Sequence, residues 1–250
     1  MLEEIKQYWS ERSTSYTQEN LAELNSEKNK LWGEVFSRYI CDDFKGKKVL
    51  DIGCGPGIFS ILLSKLGAEV SALDYTSDMI EYAKQNALNH NAQIDFFIGD
   101  AHHLEFEDNS FDVVVSRNLT WNLSNPKKAY EDWYRVLKKD GKLFNVDANW
   151  YLQLYDKKQN EIYQKDRKKI AELGLSDHMT NHYLNAKKME EIAKMLPLSR
   201  IERPKWDKEV LSSIGFKIIA CDRNFYQEIW NEEEKLMFNA TPIFLILAQK

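Results

Sequence analysis

Cysteine is scarce and unpatterned: Cys41, Cys54 and Cys221 are odd in number, widely separated and without metal-ligand spacing. That excludes a disulfide framework and a cysteine zinc site, and it fits a reducing, cytoplasmic compartment. Long apolar runs are missing too; none approaches the roughly 20 residues that span a bilayer. The opening MLEEIKQYW is acidic and has no apolar core, so neither a membrane span nor a signal peptide is expected. Positive charge is in deficit, with 34 Lys+Arg against 39 Asp+Glu, a net of −5 and a pI near 5.7. Without a global basic field, a nucleic-acid partner is disfavoured. Internal repeats and low-complexity tracts are absent. What is present is 250 residues at 43% hydrophobic content, enough for one sizeable core and a small appended cap.

The chain is organised around residues 48–60, KVLDIGCGPGIFS. Val49 and Leu50, ending in Asp51 and Ile52, read as a short buried strand of a parallel sheet. Gly53, Gly55 and Gly57 follow at alternate positions, with Cys54 a small residue between them. Ile58, Phe59, Leu62, Leu63 and Leu66 then repeat at helical spacing, and Gly67 supplies the stop. Strand, glycine turn and helix open a nucleotide-binding α/β unit, in which missing Cβ atoms let a ligand lie on bare backbone. The dinucleotide fingerprint wants a small residue three places after its second glycine, and here that place is Ile58. Asp51 is the second clue: a carboxylate repels a pyrophosphate and attracts an ammonium or a sulfonium. The stretch resembles the first motif, hydrophobic-hydrophobic-D/E-x-G-x-G-x-G, of the class I S-adenosylmethionine-dependent methyltransferases.

Other segments agree in register. Glu69 to Leu73 reads as strand two, closed by Asp74, which lies 21 residues after Gly53, close to the separation of about 20 at which a strand-two carboxylate meets ribose hydroxyls. The alternative for Asp74 is a surface turn acid or a helix cap. Tyr75 and Met79 offer an apolar wall for adenine, and Thr76 or Ser77 caps a helix carrying Met79, Ile80, Tyr82, Ala83 and Ala87. Asp95 to Ile98 reads as strand three. It runs into Gly99-Asp100-Ala101, which resembles the family's adenine turn, the aspartate accepting from the exocyclic amine. His102 and His103 are read as loop residues beside it, since adjacent histidines diverge and no acids stand at ligand spacing. Tyr8, Arg12 and Tyr16 fall at i, i+4, i+8 with Trp9 alongside, one aromatic and cationic helix face. This YWSERSTSY segment is similar to the family's Y-W-x-x-R-x-x-x-Y, which folds over the cofactor; the plainer reading is aromatic packing on the domain. Leu21, Leu24, Leu31, Val35, Phe36 and Tyr39 predict a second amphipathic helix. FDVVVS is strand four, and RNLTW leaves its carboxyl edge, where the resemblance places Asn118 on the cofactor and Trp121 at the substrate. Trp121 stands where relatives carry a histidine or other polar group. Pro126, Ala129, Trp133, Val136 and Leu137 mark a helix, and Asp140-Gly141 turns into strand five. Here the family's P-x-x-A-x-x-E-x-x-R-V-L-K-x-G-G-x-L pattern is visible, with Asp132 for its glutamate and Asp140 for its first glycine.

Residues 151–205 are an insertion relative to the family's minimal fold. They carry 12 Lys+Arg and 8 Asp+Glu, a net of +4 that leaves −9 on the remainder. A solvated helical face explains such charge; so does an anionic or carboxylate-bearing substrate drawn under a basic cap. His178 and His182 sit four apart, a weak metal pair, read instead as a substrate contact or as solvent-exposed residues. Trp206 to Ser213 reads as a helix, Phe216 to Cys221 as strand six and Thr241 to Ala248 as strand seven. The expected fold is α/β: a Rossmann-like, seven-stranded, mostly parallel sheet with helices on both faces, the last strand antiparallel, plus a helical cap insertion. The expected units are N-terminal helices over the cofactor (1–45), the cofactor-binding core (46–150), the cap (151–205) and the end of the sheet (206–250).

The resemblance implies methyl transfer from S-adenosylmethionine to a small molecule by in-line displacement, in which alignment and exclusion of water matter most. It implies no metal. Its cofactor residues are Trp9, Arg12, Tyr16, Asp51, Gly53, Cys54, Gly55, Asp74, Tyr75, Met79, Asp100, Ala101 and Asn118. The substrate side is expected from Trp121, Asp147, Trp150, His178 and His182. A general base, where the acceptor arrives protonated, is open among Asp147, His178, His182 and Tyr16. The alternatives are an S-adenosylmethionine-binding protein without transferase activity and an NAD(P)-dependent oxidoreductase. The acceptor and the oligomeric state are not legible.

Overall fold

The structure, a computed structural model, describes residues 1–175, 177 and 186–250. Its first half runs α1 (Leu2–Leu24), α2 (Lys28–Tyr39), β1 (Lys48–Ile52), α3 (Ile58–Lys65), β2 (Glu69–Asp74), α4 (Ser77–Asn89), β3 (Ile94–Ile98) and β4 (Phe111–Arg117). Then come α5 (Pro126–Val136), β5 (Leu137–Asp147), α6 (Lys157–Glu172), α7 (Ala186–Met195), α8 (Lys205–Ile214), β6 (Lys217–Asp222), α9 (Tyr226–Ile229), α10 (Glu232–Met237) and β7 (Phe244–Gln249). The strands form one sheet in the order β3-β2-β1-β4-β5-β7-β6. β1 to β5 pair in parallel, and β7 runs antiparallel to both β5 and β6. This is the Rossmann-like sheet that the strand pattern predicts.

The central strands are buried on both sides, which is why they read as continuous apolar runs. Alternate residues serve two cores. Val49, Val113, Val115, Phe144 and Val146 pack with Trp32 and Phe36 of α2 and with Phe59 and Leu63 of α3. Leu50, Ile52, Val114 and Leu143 pack on the opposite face with Ala129, Tyr130 and Trp133 of α5 and Leu211 of α8. Pro126 opens α5, as expected, and the Asn125 side chain caps it by accepting from the Lys128 N–H. Strand order reverses at β1, between β2 and β4, so the crevice that binds ligands in open α/β sheets lies at the carboxyl end of β1.

Three details differ from expectation. Leu21 and Leu24 do not begin the second helix; they end α1, which runs unbroken for 23 residues because no Gly or Pro interrupts it. Asp140-Gly141 is not the turn before β5 but a bulge inside it: Leu137 pairs with Phe111, and pairing resumes with Lys142 against Val113. Asp140 takes φ 64° there, and a Cβ on Gly141 would meet the Lys138 carbonyl at 2.8 Å. Two short helices, α9 and α10, also stand between β6 and β7. Asn231 and Glu234 form a capping box at the start of α10, a signal that N-E-E-E in the sequence contains. Among the described residues no helix is long and apolar enough to cross a membrane.

Candidate functional site

At the carboxyl end of β1 the backbone turns left-handed at each glycine, with φ 67° at Gly53, 52° at Gly55 and 86° at Gly57. Only residues without a Cβ adopt this run cheaply. A Cβ on Gly53 would meet Leu119 at 2.8 Å, and one on Gly55 would touch Tyr16 at 3.4 Å. Ile58, in the place where a dinucleotide fingerprint needs a small residue, is buried in the core beneath. Asp74 ties the turn to the end of β2. One of its oxygens accepts from the Gly55 N–H at 2.9 Å and the other from the Thr76 N–H at 2.9 Å. Burial pushes the Asp74 carboxyl up, against the pull of those amides. Asp51 is 2% exposed and accepts from the Ser60 hydroxyl. Burial pushes its pKa up to about 6, although Ser60 and the charge of Arg117 pull it down.

The turn forms one wall of a cavity of about 90 Å³. Asp74, Tyr75, Met79, Asp100, Ala101 and Asn118 all line it, together with Gly53 and Gly55. Asp51 and Cys54 line instead an adjoining cleft of about 30 Å³, shared with Gly53, Gly55, Tyr16 and Arg117. α1 lies over both. Ser10 donates to Asp78 of α4, Thr14 shares a 2.7 Å hydrogen bond with Tyr82, and Tyr75 donates to Glu3 at 3.3 Å. Trp9 and Tyr16 thereby line the 90 Å³ cavity from above, whereas Arg12 does not reach it.

Arg12 lines a second, larger cavity of about 530 Å³. Trp121 and Trp150 line it as well, the two tryptophans expected at the substrate. Trp9, Tyr16, Arg117 and Asn118 line both cavities and stand where the two adjoin. Asn118 holds φ 55°, an unusual angle for a residue other than glycine. Its side-chain Oδ1 is buried and takes no hydrogen bond among the described residues. Trp121 is pinned by an indole N–H donated to the Asn118 carbonyl at 2.9 Å. The far wall comes from Ile229, Trp230, Met237 and Phe238, brought by α9, α10 and their flanks.

Cations on this cavity are matched by carboxylates. Arg117 donates to both oxygens of Glu23, at 2.8 and 2.9 Å, and to Asn20 at 2.7 Å. Burial alone would push the Glu23 carboxyl up; Arg117 and the Trp32 indole N–H outweigh it and hold the carboxyl below its ordinary value. Arg12 pairs with Glu19 at 3.2 Å and lies 5.7 and 5.3 Å from the Trp9 and Tyr16 ring centres, and Lys28 pairs with Glu234. Among the described residues of the 151–205 insertion, only Tyr151 and Met189 line the cavity, and neither is charged.

Asp147 does not meet the expectation of a substrate contact or base. It is fully buried, accepting from the Trp121 N–H at 2.8 Å, from the Thr120 hydroxyl and from Arg203 at 2.6 Å. Arg203 in turn pairs with Asp207 at 2.7 Å. Its lone pairs are thus taken up by a structural network, away from either cavity. His178 and His182 lie outside the described residues. Arg117, Glu23, Trp230 and Phe238 line the large cavity without having been singled out from the sequence, and Tyr8 of the predicted aromatic face lines it as well. His102, read as a loop residue, is buried and bonded to Asp100.

Residues 50–145 match the family model described as a methyltransferase domain. The ubiquinone biosynthesis O-methyltransferase of Xanthomonas oryzae pv. oryzae is 33% identical over 108 residues, which cover 43% of this chain and 45% of that protein. The match thus spans less than half the length of this curated relative. Among solved structures, an S-adenosylmethionine-dependent methyltransferase from Aquifex aeolicus is similar with TM-score 0.57 and 15% identity, covering 93% of this chain and 97% of that one. Phosphoethanolamine N-methyltransferase 2 of Haemonchus contortus, solved with S-adenosyl-L-methionine, is similar with TM-score 0.60 and 19% identity, covering 89% and 52%. At these identities the structural likeness speaks for the fold.

Proposed function

We propose that this chain, whose residues 50–145 form a class I S-adenosylmethionine-dependent methyltransferase domain, moves a methyl group from S-adenosylmethionine to a small ring-bearing acceptor. The carrying observation is a pair of adjoining cavities that share four lining residues. One is walled by the glycine turn, Asp74 and Asp100 with their neighbours, beside a cleft that Asp51 lines; the other mixes aromatic rings with charged side chains; Trp9, Tyr16, Arg117 and Asn118 line both. The residues present suit the cofactor. Bare backbone at Gly53 and Gly55 supplies close approach, and the orphaned Asn118 Oδ1 offers an acceptor at the junction. Asp51 and Cys54 would hold the methionine end with the turn, Asp74 the ribose diol, and Asp100 and Ala101 the adenine between Tyr75 and Met79. Residues 1–45 would cover the cofactor, 46–150 bind it, 151–205 cap the acceptor and 206–250 complete the sheet.

S-adenosylmethionine, when bound, supplies an electrophilic methyl on a sulfonium and leaves as a neutral thioether. What the protein does is orient and dry the reacting groups. Trp9 and Tyr16 would bound the cofactor and acceptor from the α1 side, Trp121 and Trp150 would shape the acceptor side, and the half-buried Arg117–Glu23 pair would steady the wall they share. Of the base candidates among the described residues, Tyr16 lines both cavities and Asp147 is sealed away. Aromatic walls, and Glu233 standing beside three cations already matched by Glu19, Glu23 and Glu234, favour an uncharged acceptor ring over the carboxylate-bearing one that the insertion's charge suggests. The relatives named for ubiquinone biosynthesis make a phenolic hydroxyl the first class to try. Incubation with methyl-labelled S-adenosylmethionine and a panel of phenols, amines and carboxylates tests the reading: label is expected in phenols first. Failure to label any acceptor while the cofactor binds would contradict a transferase.

A further inference from the structure

Resting on that cofactor assignment, we propose that His102 is a positioning residue that makes the site select a 6-aminopurine, by holding Asp100 with one carboxylate oxygen saturated and the other presented to the base. Both residues line the 90 Å³ cavity, but the His102 ring is only 7% exposed, whereas the Asp100 side chain, at 34%, is the more open of the two. Asp100 Oδ1 accepts twice from the same residue, from the His102 N–H at 2.9 Å and from ring Nδ1 at 2.6 Å. The tautomer follows from the other side of the ring. The Asn125 N–H points at Nε2 at 3.2 Å, and an amide N–H can only donate. Nε2 is therefore the acceptor, and Nδ1 carries the proton given to Asp100. Ser124 Oγ lies 3.4 Å from the same Nε2.

Asn125 is itself fixed, as the cap of α5, and Trp133 of the same helix donates to the Ala101 carbonyl at 2.9 Å. Two anchors from α5 thus set the turn, and one of them works through the histidine. Asp100 Oδ2 takes no hydrogen bond among the described residues. It is left as a pure acceptor of fixed direction. The amino group of adenine donates to such an oxygen; the carbonyl that replaces it in hypoxanthine cannot, and two acceptors then face each other. Sites built around a buried polar partner reject ligands that leave it unpaired far more strongly than apolar pockets reject shape.

The test is calorimetry on the full chain with S-adenosyl-L-homocysteine and its deaminated counterpart, S-inosyl-L-homocysteine. The wild type is expected to prefer the adenosyl ligand by about 100-fold or more. His102→Asn, whose amide N–H replaces the Nδ1 donor, should keep that ratio within about threefold, and His102→Leu, with neither donor nor acceptor, should reduce it below about tenfold. Should His102→Leu fail to fold, His102→Met carries the same expectation. A ratio unchanged in the apolar variant, or lost equally in His102→Asn, overturns the proposal, because a packing role alone does not separate the two bases. A wild type that binds both ligands alike overturns this inference only. A wild type that binds neither removes the cofactor assignment, and this inference with it.

Discussion

Asp74 acts twice, holding the Gly55 and Thr76 amides and facing the cavity where a ribose diol is assigned. Asp74→Ala is therefore expected to weaken S-adenosylhomocysteine binding by about 100-fold or more, two charge-assisted hydrogen bonds at roughly 1.5–3 kcal/mol each being at stake. Calorimetry on the two proteins checks this, and an affinity within threefold of wild type would remove the ribose role. Asp51 behaves differently. Its folded pKa of about 6 is above the ordinary carboxylate value, so the folded state binds the proton more tightly than the unfolded one. Asp51 thus lowers stability above pH about 6, and that loss is relieved as pH falls toward about 4. Asp51→Asn should stabilise the empty protein at pH 8 by roughly 1–3 kcal/mol, with the advantage vanishing near pH 4, while weakening cofactor binding. Urea unfolding across that range measures it; a constant difference would contradict it. These acids were legible because their meaning is local: Asp51 and Asp74 are defined by distance along the chain from Gly53. The partner of His102 was not, since the Asn125 amide that sets its tautomer lies 23 residues away in another element.

α1 is the element that turns an open sheet edge into a closed site. Its face of Tyr8, Trp9, Arg12 and Tyr16 was readable from i, i+4 spacing, but its reach was not. Glu23 and Asn20 in its last turns clamp Arg117 at the end of β4, a partnership across 94 residues that no spacing rule contains. Glu23→Gln should destabilise the protein by roughly 1.5–3 kcal/mol, because it leaves a half-buried guanidinium with Asn20 alone, whereas Glu23→Leu with Arg117→Met should cost clearly less. Denaturant midpoints of the single and double variants decide it; equal costs would mean the pair contributes packing alone. α9 and α10 were missed for another reason. They are short, and only the Asn231 capping box announces them, yet they bring Trp230 and Phe238 to the large cavity.

Across the whole molecule, a buried side chain ties the insertion to the sheet. Arg203 reaches Asp147 at the end of β5, Thr120 after β4 and Asp207 on α8, all buried. Asp147 was misread as a substrate contact because it follows a sheet edge where ligands bind; its actual partner stands 56 residues further on. Arg203→Met should lower stability by about 3–5 kcal/mol, since it leaves two carboxylates unpaired. S-adenosylhomocysteine affinity at saturating fold should stay within about threefold, because Arg203 lines neither cavity; a large loss of affinity with stability intact would contradict this division of roles. Everything functional depends on the β1 edge having been shaped for a cationic sulfonium compound and not for a diphosphate. Parallel calorimetric titrations of the wild-type chain with S-adenosylmethionine and with NAD test that directly. Saturable binding of one S-adenosylmethionine per chain and none of NAD is predicted; binding of NAD with S-adenosylmethionine excluded would contradict the account.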